Sequence, residues 1–219
     1  MINYFKKALY LVVLIGYSSA FAGSYEDFFN AITQDDAPAV KRLLVRGFDA
    51  NTLDPKGNPG LMIALRTPSP KVAQLLAEVP KIELNRLSAQ GESPLMLASI
   101  KGQLALAELM IRKGADVNKT GWTPLHYAAS GAHLPVMKLL LENFAYIDAE
   151  SPNGTTPLMM ASMYGNAAAV KLLIDEGADP MLKNIQGLTA QQFAQRANRP
   201  DAAELVLKAI RSKQSPGKW

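Results

Sequence analysis

"KTGWTPLHYAASGAHLPVMKLLLENFA", residues 119–145, holds both histidines of this 219-residue chain, His126 and His133. Taken alone they invite a search for a general base or a metal site, and what surrounds them decides otherwise. Thr123 stands where a hydroxyl caps the free N–H groups of a helix start, and Pro124 follows at the first helical position, where its missing N–H costs nothing. His126 comes three residues after that cap, so its ring can reach back to the threonine or the neighbouring backbone as the glutamate of a capping box does. A second helix opens near Pro135, and Met137 with the pair Leu140/Leu141 forms one apolar stripe at helical spacing.

Outward from this stretch the pattern recurs. A glycine followed seven positions later by an alanine occurs at Gly57/Ala64, Gly91/Ala98, Gly121/Ala128, Gly154/Ala161 and Gly187/Ala194, with glycine steps of 34, 30, 33 and 33. Aliphatic pairs keep nearly the same period at Leu43/Leu44, Leu75/Leu76, Met110/Ile111, Leu140/Leu141 and Leu173/Ile174, and Val40, Val72, Ala107, Met137 and Val170 precede them by three. Pro38, Pro70, Pro135 and Pro200 sit near the starts of the helices that carry these pairs. Two independent marks with one period describe a repeat array, in which each unit buries its apolar stripe only against the next.

"GWTPLHYAA", "GTTPLMMAS", "GESPLMLAS", "RKGADVN" and "DEGADP" resemble the ankyrin repeat, over roughly residues 25–212. The resemblance implies an all-α repeat solenoid of about six units, each a helix–turn–helix followed by a β-hairpin finger. The terminal caps lie at 25–54 and 187–212. It implies a structural role for Thr123, Pro124 and His126, with His133 in the loop before a second helix. Departures are local. The second repeat opens "GNPGLM", Met96 and Met159 replace the histidine in the third and fifth, and the last reads "GLTAQQFA".

Nothing in the chain assembles a catalytic set. Two histidines seven apart, with no cysteine, are too few ligands for a zinc site. No GxSxG elbow and no phosphate loop occur, and the carboxylate pairs Asp35/Asp36 and Asp175/Glu176 sit at helix ends as solvated charge. No cofactor and no metal are expected. The resemblance instead implies a protein partner held on a concave face of fingers and first helices. In the repeat register the candidate contacts are Arg66, Ile100, Lys101, Trp122, Ser130, Met163 and Tyr164, an apolar and aromatic line with cationic neighbours of the kind enriched at interface centres.

Two irregularities mark this surface. From the second aliphatic of each pair to the next glycine the chain runs 13, 15, 10, 13 and 13 residues, so the finger "GADVNKTG" is short by three and should leave a notch beside Trp122, flanked by a longer finger at 79–90. In "ENFAYID", Phe144 stands where Gly47, Gly114 and Gly177 stand elsewhere. Asn143 is expected to take the left-handed position in its place, leaving Phe144 and Tyr146 to seal the finger against its neighbour, with extension of the binding surface as the alternative.

The ends read separately. "MINYFKK", the apolar run "ALYLVVLIG" and "YSSAFA" have the order of a secretory signal peptide, with cleavage between Ala22 and Gly23. A chain starting at Gly23 keeps 21 of the 23 Lys and Arg against all 19 Asp and Glu, a net +2 and too mild for a nucleic-acid binder. The expected product is a soluble periplasmic monomer without stable membrane insertion. Its ankyrin domain is 23–212, and 213–219 is a disordered tail. Its expected work is non-catalytic binding, assisting a periplasmic enzyme or a stress response. An inhibitor or immunity protein against an exported toxin is one alternative, and an enzyme of unrecognised chemistry is another.

Overall fold

The computed structural model describes residues 23–214; the expected signal peptide and residues 215–219 of the tail lie outside the described residues. The chain divides into two compact units, up to Glu83 and from Leu84. The first contains α1 (residues 23–33), α2 (Ala37–Val45), α3 (Gly60–Arg66) and α4 (Pro70–Glu78). The second contains α5 (Pro94–Ile100), α6 (Leu104–Arg112), α7 (Pro124–Ser130), α8 (Leu134–Glu142), α9 (Pro157–Met163), α10 (Ala167–Asp175), α11 (Ala190–Arg196) and α12 (Pro200–Gln214). The six helix pairs follow the sequence register. No described helix is long and apolar enough to cross a membrane.

First helices α3, α5, α7, α9 and α11 have seven residues each, and α2, α4, α6, α8 and α10 have nine. Such lengths are unstable in isolation, so packing must hold them. In the second unit α5 packs on α7, α7 on α9 and α9 on α11, while α6 packs on α8 and α10 on α12. The apolar stripe accounts for the second layer: Ala107, Met110, Met137, Leu140, Val170 and Leu173 have no solvent exposure. The second member of each pair, Ile111, Leu141 and Ile174, is half-buried.

One register is corrected in the first unit. Leu76, fully buried, occupies the place of Leu43, and Leu75 is half-buried. The buried position is the seventh residue of the helix, and α4 begins at Pro70, so the pair read as Leu75/Leu76 is Leu76/Ala77. The finger after α4 is therefore one residue longer than the 13-residue fingers, not two.

The fingers are turns and not paired strands; among the described residues the β-contact is the isolated bridge Leu53–Pro59. Four of them close alike. The N–H of Asp54, Ser88, Ser151 and Asn184 bonds the carbonyl four residues on, at 2.9 to 3.0 Å. Their side chains turn inward to accept from the same loop, as Asn184 Oδ1 does from the N–H groups of Gln186 and Leu188.

A ladder of side chains ties each finger to the next. Asn51 donates to the carbonyl of Lys81 and accepts from the N–H of Glu83. Asn85 does the same with Gly114 and Asp116, and Asn118 with Phe144 and Tyr146, at 2.8 to 3.1 Å. Asp148 forms the next rung, where a carboxylate has no proton to donate. It accepts the Asp179 N–H at 3.0 and 3.2 Å, and Lys213 Nζ lies 3.2 Å from Asp179 Oδ1. α12 runs to Gln214, past residue 212, after which the tail was expected to begin. Burial pushes the Asp148 carboxyl above the usual aspartate range. The Asp179 N–H opposes the shift, the Asp179 carboxylate adds to it, and Lys213 opposes it.

Candidate protein-binding face

The histidine corner is a structural joint. Thr123 N–H donates to His126 Nδ1 at 3.1 Å, which fixes the proton on Nε2, and Nε2 donates to the Thr155 carbonyl of the following repeat at 2.8 Å. The ring is fully buried. Burial drives its pKa down to about 4 against the raising effect of the Thr155 carbonyl, so the imidazole is neutral at pH 7. With both nitrogens committed and no path to solvent, His126 has nothing to offer a substrate or a metal ion. At the equivalent corners a thioether accepts instead: Met96 Sδ takes the Ser93 N–H at 3.2 Å and Met159 Sδ the Thr156 N–H at 3.5 Å. Sulfur is the weaker acceptor and donates nothing.

His133 ties the helix turns together. Its Nε2 lies 2.8 Å from the Ile100 carbonyl, and its ring fills the space where a Cβ at Gly102 or Gly131 would stand. Gly102 also has φ +65°, so both its conformation and its lack of a side chain are used.

The predicted contact residues fall into separate groups. Arg66, exposed and bonded to Asn58 Oδ1 at 3.0 Å, lies in the first unit. In the second unit Ile100, Lys101, Ser130, Met163 and Tyr164 lie at the last residue or C-cap of α5, α7 and α9. Trp122 lies at the opposite end of α7, just before its N-cap, about 10 Å away along a seven-residue helix. Its indole is half-buried, edge-on to His126 with ring centroids 5.2 Å apart, so it covers the histidine corner. The short finger beside it has no backbone closure of the kind seen in the other four among the described residues. There Lys119 Nζ bonds the carbonyls of Thr120 and Trp122 at 3.0 and 3.3 Å, and Pro152 of the next finger stands against Gly121.

Sequence reasoning missed the residues that connect these ends. Tyr127 and Met160 are half-buried members of the otherwise mostly buried α7 and α9, Phe193 is half-buried on the more exposed α11, and the three precede Ser130, Met163 and Arg196 by three. Three-residue spacing puts both sets on one face, and steps of 33 carry Tyr127 to Met160 to Phe193 across α7, α9 and α11. The signal lay in the repeat alignment itself, one helical turn before the positions chosen.

The "ENFAYID" expectation is corrected twice. Phe144 itself takes the left-handed conformation, φ +64°, while Asn143 has φ −101° and caps the helix from a bridge conformation with its amide on the Leu139 carbonyl. Nor do the aromatics seal anything: Phe144 is 84% and Tyr146 69% exposed. Their backbone is held by Asn118, which leaves the rings without a packing role in the chain.

Comparison with known proteins fits this geometry. A family model described as "Ankyrin repeats (3 copies)" matches residues 28–120, 81–151, 117–184 and 145–215. The Nuclear factor NF-kappa-B p105 subunit of Gallus gallus is 32% identical over 72% of this chain and 17% of its own length. The chain thus spans about a sixth of that relative's length. Putative ankyrin repeat protein YahD of Escherichia coli is 26% identical over 84% of this chain and 95% of its own. Among solved structures, an ankyrin repeat domain from Acinetobacter baumannii AYE superposes with a TM-score of 0.71 at 26% identity, covering 84% of this chain and 97% of that one. A chain from the complex of a predatory endopeptidase of Bdellovibrio bacteriovorus with an immunity protein also gives 0.71, at 29% identity, covering 83% and 97%.

Proposed function

Because the chain belongs to the ankyrin repeat family, whose members are protein-binding modules, we propose that it is a non-catalytic binder in the cell envelope that holds a protein partner on the first-helix face of residues 84–214. The observation that carries this reading is the half-exposed stripe Tyr127, Met160 and Phe193, continued by Ile100, Met163 and Tyr164 at the helix turns. Buried neighbours fix these side chains on short, mutually packed helices, and pre-organised aromatic and methionine surface is what an interface centre uses. Residues 1–22 export the chain in this proposal, with a mature N-terminus at Gly23 in the osmotic-shock fraction and a monomer in the periplasm. An uncleaved, membrane-held product would remove the envelope role and leave the binding face intact.

Assistance of a resident enzyme and inhibition of a toxic one use the same face. The match to a chain of an endopeptidase–immunity protein complex favours the inhibitory reading. The test is capture from an envelope extract, followed by calorimetry with the purified partner. Tyr127→Ala and Tyr164→Ala should each weaken binding about tenfold or more. Lys138→Ala, on the exposed side of α8, should leave it within about twofold. The reverse pattern would move the site to the second helices. Loss of the partner's activity in a one-to-one complex separates inhibition from assistance.

A further inference from the structure

The turn after α8 departs from its neighbours at two positions. Phe144 and Tyr146 are 84% and 69% exposed, while Ala145 between them is buried, so the chain turns one methyl inward and both rings out. The same two positions hold Gly114 and Asp116 after α6, and Gly177 and Asp179 after α10. Single exposed apolar side chains are ordinary, but here two aromatic rings stand two residues apart and one of them sits on a backbone of φ +64°, with no packing gained in return. Hydrogen bonds hold the three turns in one row: Asn118 clasps the turn of Phe144 and Tyr146, and Asp148 accepts the Asp179 N–H. Helix α8, about 14 Å long, separates the rings from the turn that follows Ser130. Charge along the row is uneven. Asp116, Glu142 and Glu176 are exposed and form no ion pair among the described residues. Of the nearby cations, Arg112 is paired with Glu108, Lys171 with Asp175 and Lys213 with Asp179, and Lys113 is engaged within the chain. Lys138, one helical turn before Glu142, is the cation that stands against these three carboxylates.

We propose that this row is a second docking surface, separate from the first-helix face and independent of it, for an extended arginine-bearing segment of a partner protein. A guanidinium is planar and weakly hydrated, so it stacks on an aromatic ring and keeps its edge for a carboxylate, and both groups stand together here. Glu142 precedes Phe144 by two residues, and Asp116 and Glu176 lie on the two flanking turns. Neighbouring turns follow the helix spacing of roughly 8–10 Å, close to the ~7 Å at which alternate side chains of an extended chain recur. Other occupants fit less well. An anionic membrane would bring its headgroups against the three carboxylates, and a second copy docked by the same turn would set Glu142 and Glu176 against their own equivalents. The whole chain carries a formal charge of +4, so attraction for a basic segment is a local property of this row.

The test is fluorescence anisotropy of the full chain with three labelled peptides of one glycine and serine backbone, carrying arginine, lysine or glutamate at alternate positions. At low salt the arginine peptide should bind about threefold tighter than the lysine peptide and about tenfold tighter than the glutamate peptide. Phe144→Leu and Tyr146→Leu keep apolar bulk and remove the π face. Each should weaken arginine binding about threefold, and the two together about tenfold, while Glu142→Gln/Glu176→Gln should narrow the gap to the glutamate peptide. Phe144→Gly should lower affinity and raise the melting temperature, a pair of opposite signs that a structural role for the ring would not produce. Leu104→Ala, at an exposed apolar position where α6 begins, should change neither reading, and thermal unfolding of every variant confirms that the fold is kept. Equal affinity for the arginine and glutamate peptides overturns the proposal, as does binding of no peptide at millimolar concentration or undiminished arginine binding by Phe144→Leu/Tyr146→Leu. A dimer in sedimentation that the same double variant dissociates gives the rings to a second copy and overturns it as well. None of these outcomes bears on the first-helix face, whose own variants are read with the captured partner.

Discussion

The fourth and fifth repeats share a backbone and differ in what holds it. Helices α7 and α8 map onto α9 and α10 with an offset of 33 residues at every boundary. Yet the fourth repeat has His126 at its corner, Phe144 at its left-handed turn and Asn118 clasping that turn, where the fifth has Met159, Gly177 and Asp148. A fold set by burial of one apolar stripe tolerates three different local solutions, because the corner and clasp residues supply an acceptor for the same N–H groups and the turn residues both take the left-handed conformation. What changes is how much free energy each joint contributes and how it responds to pH.

The largest difference should appear at the corner. His126→Ala leaves the buried Thr123 N–H without its ring acceptor, takes from the Thr155 carbonyl the second of its two donors beside the Ser151 N–H, and opens a void, a loss of about 3 kcal/mol in urea unfolding. His126→Met, copying the fifth repeat, should lose about half as much. A His126→Met variant as stable as the parent would mean that the reach of Nε2 to Thr155 contributes nothing. The pH dependence carries the same signature. A histidine whose folded pKa is depressed to about 4 makes the unfolded state the better proton binder between about 4 and 6.5, so its stabilisation is complete above that window and falls as pH falls through it. Between pH 7.5 and 5 this amounts to about 2 kcal/mol. His126→Met should abolish that slope, and a slope that survives would assign it to other groups.

Next in size is the ladder. Asp148→Asn gives the fifth repeat the rung of the fourth, adding a donor toward the Gly177 carbonyl and removing a half-buried carboxylate from beside Asp179. Stability at pH 7 should rise by about 1 kcal/mol. Asn118→Asp should lower it by a similar amount, and an Asp148→Asn variant no more stable than the parent would mean that Lys213 already compensates.

The smallest effect belongs to the turn. Phe144→Gly removes a non-glycine residue from the left-handed region at no cost in packing, since the ring is exposed, and should raise stability by about 0.5–1 kcal/mol. A fall would show that the aromatic contributes contacts that its exposure hides. Should the same variant lose partner binding, the strain at Phe144 is retained for recognition.

The sequence by itself determined the repeat, the six helix pairs and the buried stripe everywhere but in α4, where its register was one residue off, because a 33-residue period and helical spacing are one-dimensional signals of which residues face the next unit. It also determined that His126 belongs to a cap, since a capping threonine, a proline and a polar side chain at fixed offsets are all local. Tertiary structure decided the rest. That Nε2 bridges to Thr155, that Trp122 lies over the histidine and away from Tyr164, and that the open stripe is Tyr127, Met160 and Phe193 all depend on which helix packs on which. At Phe144 the local rule that asparagine accepts the left-handed turn more readily than phenylalanine pointed to Asn143. The clasp of Asn118 on the Phe144 carbonyl and the Tyr146 N–H, made from a residue 26 positions earlier, goes with the left-handed position falling at Phe144 instead. A contact between repeats outweighed a preference of about one kcal/mol that the sequence alone could express.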